Sequence, residues 1–168
     1  MIKHEWIDLS LRKDVFLNVQ AFSLTQDARN LNYEERRFLE KTLRMGKRNG
    51  LLLDDEDFER VRSIKKRISE LEIDFRKCLD DDTSHFFVHE KELSGVSNNF
   101  IHSLEKDVDG RRKVTTRHLA VLNHCKVPRT RFLMEKMYES RCVEENTPRI
   151  EELIKLRHEK ATILGRII

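Results

Sequence analysis

The chain has 168 residues, of which 33 are Lys or Arg and 30 are Asp or Glu, giving a formal net charge of +3. Its five Gly and two Pro are too few for a many-stranded β-sandwich or a glycine-looped nucleotide fold, so a mostly helical chain is favoured. The apolar runs fall far short of the ~20 residues that cross a bilayer, and we expect neither a membrane span nor a secretory signal.

The first part of the chain has the pattern of two helices. Apolar residues at mixed spacings of three and four predict the first helix, from Ile2 to about Phe22. Asn32 followed by Glu35 resembles a capping box, which would start the second helix. That helix should stop near Asn49-Gly50, because Gly can take the left-handed conformation beyond a helix end. The apolar stripe of the first helix consists of Trp6, Leu9, Val15, Phe16, Val19 and Phe22.

The clearest helical pattern follows Leu53. Four acids, Asp54 to Asp57, would lie in the first turn, where they complement the helix dipole. Apolar residues then recur every three or four positions over about five turns. This pattern predicts a long amphipathic helix with one narrow buried stripe, which is typical of an antiparallel helical hairpin. The stripe consists of Val61, Ile64, Ile68, Leu71, Phe75 and Leu79.

Shorter elements are predicted after Asp82. Thr147-Pro148 reads as an N-cap followed by Pro at the first helical position, which would start a last helix closed by Gly165. The patterns predict an all-α fold of helical hairpins and a bundle, with at most one or two very short strands, in a single helical region 1–168. The elements before Thr147 are extended pieces at 83–88 and 113–115, and helices at 90–94, 97–106, 117–125 and from Pro128 through Met137.

Three His-Glu dipeptides must be compared with HExxH, the zinc-protease motif in which His at i and i+4 bind one metal from adjacent turns. The position of the second His holds Asp8, Leu93 or Thr162, so none completes the motif. His85 and His89 are four residues apart but fall where loop or extended chain is predicted. The sequence therefore predicts no catalytic residue, no metal ligand and no cofactor-binding residue in this chain.

The three cysteines are Cys78, Cys125 and Cys142. Their wide spacing fits neither a disulfide framework nor a CxxC metal site. No sequence context supports activation of a thiol by a base, so we interpret them as small buried residues of a protein kept reduced in the cytosol.

The segment from Arg111 to Met134 contains no acidic residue, although seven of its residues are Lys or Arg. Such a charge could attract nucleic acid or another polyanion. Only Phe132 offers an aromatic ring for stacking, however, so solvated or internally paired charge is favoured over nucleic-acid binding.

Strings of residues over nearly the whole chain carry a family resemblance. They include MGKRNGLLL (Met45 to Leu53), SIKKRISELEIDFRKCLDDDTS (Ser63 to Ser84), KELSGV (Lys91 to Val96), FIHSLEK (Phe100 to Lys106), KVT (Lys113 to Thr115), HCKVPRTR (His124 to Arg131) and RCVEENTPRIEELIKLR (Arg141 to Arg157). In this order they resemble the N-terminal helical part of the thimet oligopeptidase and neurolysin family of zinc metallopeptidases. The segment from Lys113 to Cys125 is shorter than in that family, which suggests a truncated paralogue, a partial gene model or a splice product.

The resemblance implies a role within a longer helical enzyme that cuts short peptides inside a deep channel. In that family the HExxH helix, the Glu metal ligand and the substrate-positioning Tyr and His lie in the C-terminal half, which would follow Ile168. The zinc would therefore belong to that half, and this chain would carry part of the channel wall. The resemblance also implies a cytoplasmic location, with mitochondria as an alternative.

Two functional hypotheses follow. In the first, the chain is a fragment or truncated relative of a zinc metalloendopeptidase acting on short peptides, and is inactive alone. In the second, it is a non-catalytic helical interaction module that binds a peptide, another helical protein or itself. The second hypothesis rests on the Val61–Leu79 stripe, because a helix that lacks its usual neighbours exposes apolar surface and favours association.

Overall fold

A computed structural model describes residues 2–165, with the side chains of residue 5 and residues 7–165. The Trp6 side chain of the first apolar stripe lies outside this description. Helices follow one another along most of the described chain: α1 (Ile2–Ser10), α2 (Lys13–Ser23), α3 (Gln26–Arg29), α4 (Tyr33–Arg48), α5 (Asp55–Asp80), α6 (Asn98–Ser103), α7 (Ala120–His124), α8 (Pro128–Glu139) and α9 (Val143–Ile163). A short 3-10 helix occupies Glu90–Leu93. In residues 2–165 we find no helix with the length and apolar character that a membrane span requires.

The extended segments form one small sheet. Strand β1 (His85–Val88) pairs antiparallel with β2 (Arg112–Thr115), with Phe86 opposite Val114. The predicted mostly helical fold with very short strands is thus confirmed, and both strands lie within a residue or two of their predicted positions.

The chain divides into two compact units. The first contains the residues up to Asp74 together with those from Arg149, and the second is Phe75–Pro148. The prediction that residues 1–168 form one helical region, as part of a longer chain, stays a prediction.

The core of the first unit is built on the predicted stripe of α5. Val61, Ile64, Ile68 and Leu71 are buried along one face of this helix, as their spacing predicts. Three of the four predicted acids, Asp55 to Asp57, lie in the first turn of α5. Asp54 precedes the helix instead, and its carboxylate accepts a hydrogen bond from the Asp57 backbone N–H at 2.9 Å. A second cluster buries Leu11, Phe16 and Leu51.

The core of the second unit surrounds the sheet. Val88 and Val114 bring the inner face of both strands into it, and helices α6, α7 and α8 contribute Ile101, Val121 and Met134. Arg112 is the buried charge of this unit, at 4% exposure. Its guanidinium donates to Glu90 Oε1 at 2.7 and 3.0 Å and to the Leu104 carbonyl at 2.9 Å, which compensates the cost of burying it.

The predicted first helix, from Ile2 to about Phe22, is wrong as a single element, because the chain breaks between α1 and α2. Leu11 turns inward at the break and is buried against Phe16 and Leu51. Arg12 then precedes α2 with a non-helical ψ of 88°. Burying one more apolar side chain outweighs the continuity of the helix here.

The predicted start of the last helix at Thr147-Pro148 is also wrong. Helix α9 begins at Val143, and Pro148 lies inside it. Thr147 does not cap the helix; its hydroxyl donates instead to the Val143 carbonyl at 2.6 Å. As the sixth residue of α9, Pro148 lies past the first turn, and its missing N–H removes the helical hydrogen bond to the carbonyl of Glu144.

Candidate functional site

An apolar groove lies between α2 and α4 on the surface of the first unit. The α2–α4 groove has a volume of about 710 Å³. A second hollow of about 360 Å³ shares several of its residues and extends toward Leu9 and Leu51. The groove is lined by Val15, Asn18, Val19, Phe22, Leu31, Glu34, Glu35, Phe38, Leu39 and Thr42.

Local sequence explains why the two helices lie side by side. Asn32 and Glu35 form the predicted capping box, with N–H to oxygen distances of 3.0 Å in both directions, and they start α4. Gly46 then lets α4 approach α2 closely. A Cβ atom at this position would collide with the Phe16 ring, so only Gly permits the contact. At the other end, Asn49 and Gly50 terminate α4 as predicted, with φ of +83° at Gly50.

The groove is open and its walls are apolar. Phe38 is 72% exposed, Val15 47% and Phe22 40%. Arg12 borders the smaller hollow and donates to both carboxylate oxygens of Asp14, at 2.7 and 2.5 Å, which lowers the pKa of Asp14 to about 2. Such a groove can bind an apolar helix face or segment, whereas it offers no arrangement of groups for bond cleavage.

The histidines considered from the sequence take structural roles. His85 lies in β1 with its ring edge-on to Phe87 at 5.3 Å, and His89 precedes the 3-10 helix. His118 Nδ1 accepts from the Thr115 N–H at 3.1 Å, and burial lowers its pKa. The structure brings none of these residues into a group of three potential metal ligands within its described part.

The cysteines separate into two environments. Cys125 is buried as predicted, and its thiol donates to the Glu92 carbonyl at 3.3 Å. Cys78 and Cys142 are half-buried instead, and the Cys142 thiol donates to the Cys78 carbonyl at 3.0 Å. Together with Glu145 they form the Cys78 cluster, in which one ligand atom from each residue lies within 4.8 Å of the others. Sequence reasoning missed this cluster because 64 residues separate the two cysteines.

The basic segment from Arg111 to Met134 is largely paired within the second unit. Arg111 bridges to Asp107 at 2.7 Å, and Lys113 pairs with Glu105 at 3.0 Å. The Arg117 and Arg131 side chains donate to backbone carbonyls at 2.7 Å each. These contacts favour internally paired charge over a surface for a polyanion.

Comparison with known proteins gives three oligopeptidase relatives that share most of this chain. Thimet-like oligopeptidase from Dictyostelium discoideum is 32% identical over 167 residues, which are 95% of this chain and 25% of that protein. A probable thimet oligopeptidase from Arabidopsis thaliana is 31% identical over 92% of this chain and 22% of its own length. Saccharolysin from Saccharomyces cerevisiae is 28% identical over 95% of this chain and 24% of its own length. No protein-family model matches the chain. The chain spans about a quarter of the length of these relatives.

Proposed function

Because the chain is homologous over most of its length to a portion of thimet-like oligopeptidases and saccharolysin, we propose that it serves as part of the helical wall of such an oligopeptidase and supplies no catalytic group itself. The observation that carries this proposal is the match over 92–95% of the chain, which is a quarter or less of each relative. A wall shapes access to a channel through the surface it presents, and helices supply that surface without reactive side chains.

The α2–α4 groove gives the proposal a physical site. Its walls are those of a helix–helix interface with one face uncovered, because Phe38 and Val15 are exposed where a neighbouring element would bury them. We assign its occupant as the remaining portion of an oligopeptidase of this type, whether it continues the same chain or is a separate polypeptide. Full burial of an exposed side chain of this type contributes about 1.5–3 kcal/mol, and covering the groove would gain only the share that corresponds to the 72% of Phe38 and 47% of Val15 still exposed.

Peptide hydrolysis tests the catalytic part of the proposal. The purified 168-residue chain, supplied with zinc and a quenched short peptide, is expected to give no hydrolysis above the buffer rate. Zinc hydrolases bind their metal with three protein ligands and an open position, and HExxH supplies two of them in this class of enzyme. Hydrolysis that a chelator abolishes would contradict the proposal.

Exchange of the matched segment tests the wall role directly. In the Dictyostelium relative, the segment matched by this chain is replaced by residues 1–168, and zinc-dependent peptide cleavage is measured. A chimera that melts cooperatively and cleaves peptide supports the role. A chimera that melts cooperatively yet cleaves no peptide argues against the wall role. The same chimera carrying Phe38→Glu should melt at a lower temperature than the chimera without this substitution.

A second candidate function is a non-catalytic interaction module. The α5 stripe on which it was based is buried at Val61, Ile64, Ile68 and Leu71, so that basis is wrong, and the exposed α2–α4 groove is the observation that favours it instead. Size-exclusion chromatography with light scattering separates the two functions. A dimer that forms as the concentration rises, and that the substitution Phe38→Glu dissociates into monomers, would favour a module that binds itself. A stable monomer that melts cooperatively favours the wall role.

The remaining parts of the proposal come from the family resemblance. Short peptides would be partners only in the context of a whole oligopeptidase, and the location would be cytoplasmic, with mitochondria as the alternative. Fractionation of cells with an antibody against this chain tests the location.

A further inference from the structure

We propose that the Cys78 cluster is a binding site for a thiophilic metal ion, with zinc as the ion it fits best. Two sulfur donors and one carboxylate converge in the second unit, with ligand atoms within 4.8 Å of one another. This set of donors is the type that binds zinc, copper(I) or cadmium rather than magnesium or calcium.

The spacing of the donors suits a metal better than a disulfide. Around a tetrahedral zinc ion with Zn–S bonds of about 2.3 Å, two sulfur atoms lie about 3.8 Å apart. Donor atoms that already lie within 4.8 Å need small side-chain rotations to reach that geometry. Both thiols are free in the structure, whereas a disulfide bond would hold the sulfur atoms about 2.0 Å apart.

The backbone holds the donors in place. Cys142 lies in the turn between α8 and α9 with φ of +51°, a conformation that is uncommon for a residue with a Cβ atom. Glu145 lies three residues later in the first turn of α9, and its carboxylate comes within 4.8 Å of the Cys142 sulfur. Asn146 is buried and donates to the Phe75 carbonyl at 3.4 Å, which fixes the start of α9 against the last turns of α5, where Cys78 lies.

Access and charge also suit a cation. Cys78 and Cys142 are half-buried and Glu145 is exposed, so an ion can enter from solvent without unfolding the unit. On binding, each thiol releases one proton to solvent and each sulfur forms a bond to the metal, whose oxidation state does not change. The two thiolates and the Glu145 carboxylate leave a fourth position for water.

Cadmium titration of the reduced chain provides the first test. One equivalent of Cd²⁺ should produce an ultraviolet sulfur-to-cadmium charge-transfer band, and a large excess of Zn²⁺ should reduce this band by competing for the same thiolates. Cys78→Ala and Cys142→Ser should each lose at least half of the band. Titration to saturation without a band, in a chain whose free thiols are all detectable, overturns the proposal.

Matched acid variants provide the second test, because they leave the thiols and the fold intact. Glu145→Gln should weaken Cd²⁺ binding by at least about tenfold, whereas Glu144→Gln, the neighbouring acid outside the cluster, should bind like the unmodified chain. Equal effects of both variants, or a full band in the Cys78→Ala/Cys142→Ser double variant, which keeps Cys125, would overturn the assignment. Neither result depends on the proposed oligopeptidase role.

Discussion

Gly46 shows how one missing side chain positions the α2–α4 groove. In an exposed helix interior, Gly→Ala stabilises by up to about 1 kcal/mol. At Gly46 the added Cβ would meet the Phe16 ring, with Cγ at 3.1 Å and two ring carbons closer still. We therefore expect Gly46→Ala to lower the free energy of unfolding by roughly 1–3 kcal/mol, as overpacked cores do.

Urea unfolding followed by circular dichroism measures this change. Lys47→Ala, on the exposed side of the same helix, should alter the free energy of unfolding by less than about 0.5 kcal/mol. Adding Phe16→Leu to Gly46→Ala should recover part of the loss, because the smaller side chain makes room for the methyl group. Independent, additive effects of the two substitutions would contradict the collision.

Glu90 makes the second unit sensitive to acid. Its hydrogen bonds from Arg112 lower the pKa of the Glu90 carboxyl below 4.5. A carboxyl with a lowered pKa in the folded state stabilises the fold above its unfolded pKa, and the effect is lost as pH falls through the folded pKa. Glu90→Gln should therefore be less stable than the unmodified chain at pH 7. The difference should begin to shrink near the ordinary Glu pKa of about 4.3 and should be lost as pH falls through the lowered pKa of the folded state.

Thermal melting between pH 7 and pH 3 measures this difference. Glu135→Gln, a change of an exposed acid on α8, serves as the control and should follow the unmodified chain at every pH. A Glu90→Gln difference that stays constant down to pH 3 would mean that the Arg112 contact does not depend on the ionised carboxylate.

At the scale of elements, α4 is the helix whose start is best suited to a test of local prediction. It begins at a capping box, and its residues line the α2–α4 groove. Asn32 accepts from the Glu35 N–H at 3.0 Å, so Asn32→Ala should lower the free energy of unfolding by about 1 kcal/mol. Asn30→Ala, two residues earlier at the end of α3, is the matched control. Urea unfolding that gives the same midpoint for both variants would show that the capping box contributes nothing.

Elements defined by local chemistry could be predicted from the sequence, and those defined by distant contacts could not. The α4 cap and the α5 stripe depend on neighbours a few residues away, so spacing alone revealed them. The break at Leu11 depends on burial against Leu51, 40 positions later, which no local pattern contains. The Cys78 cluster has the same origin, since the turn at Cys142 meets the end of α5 only in the folded chain.

At the scale of the molecule, the family resemblance gave more information about function than the periodicity of apolar residues did. Composition and spacing indicated helices, whereas only the collinear strings linked them to oligopeptidases, and the relatives confirm that link over about 95% of the chain. The chain spans about a quarter of the length of these relatives. In the proposed wall role, the rest of an oligopeptidase would cover the α2–α4 groove.

Exposure of the groove leads to the prediction for the isolated chain. Phe38 in the groove is 72% exposed and Phe132 on α8 is 61% exposed, so Phe→Glu removes a similar apolar area at each position. Phe38 lines the α2–α4 groove, a concave apolar site of the kind in which we expect an anilinonaphthalene sulfonate dye to bind. Phe38→Glu should therefore abolish most of the dye fluorescence, whereas Phe132→Glu should retain it. Equal losses from the two variants would mean that exposed area, rather than the groove, attracts apolar partners to this chain.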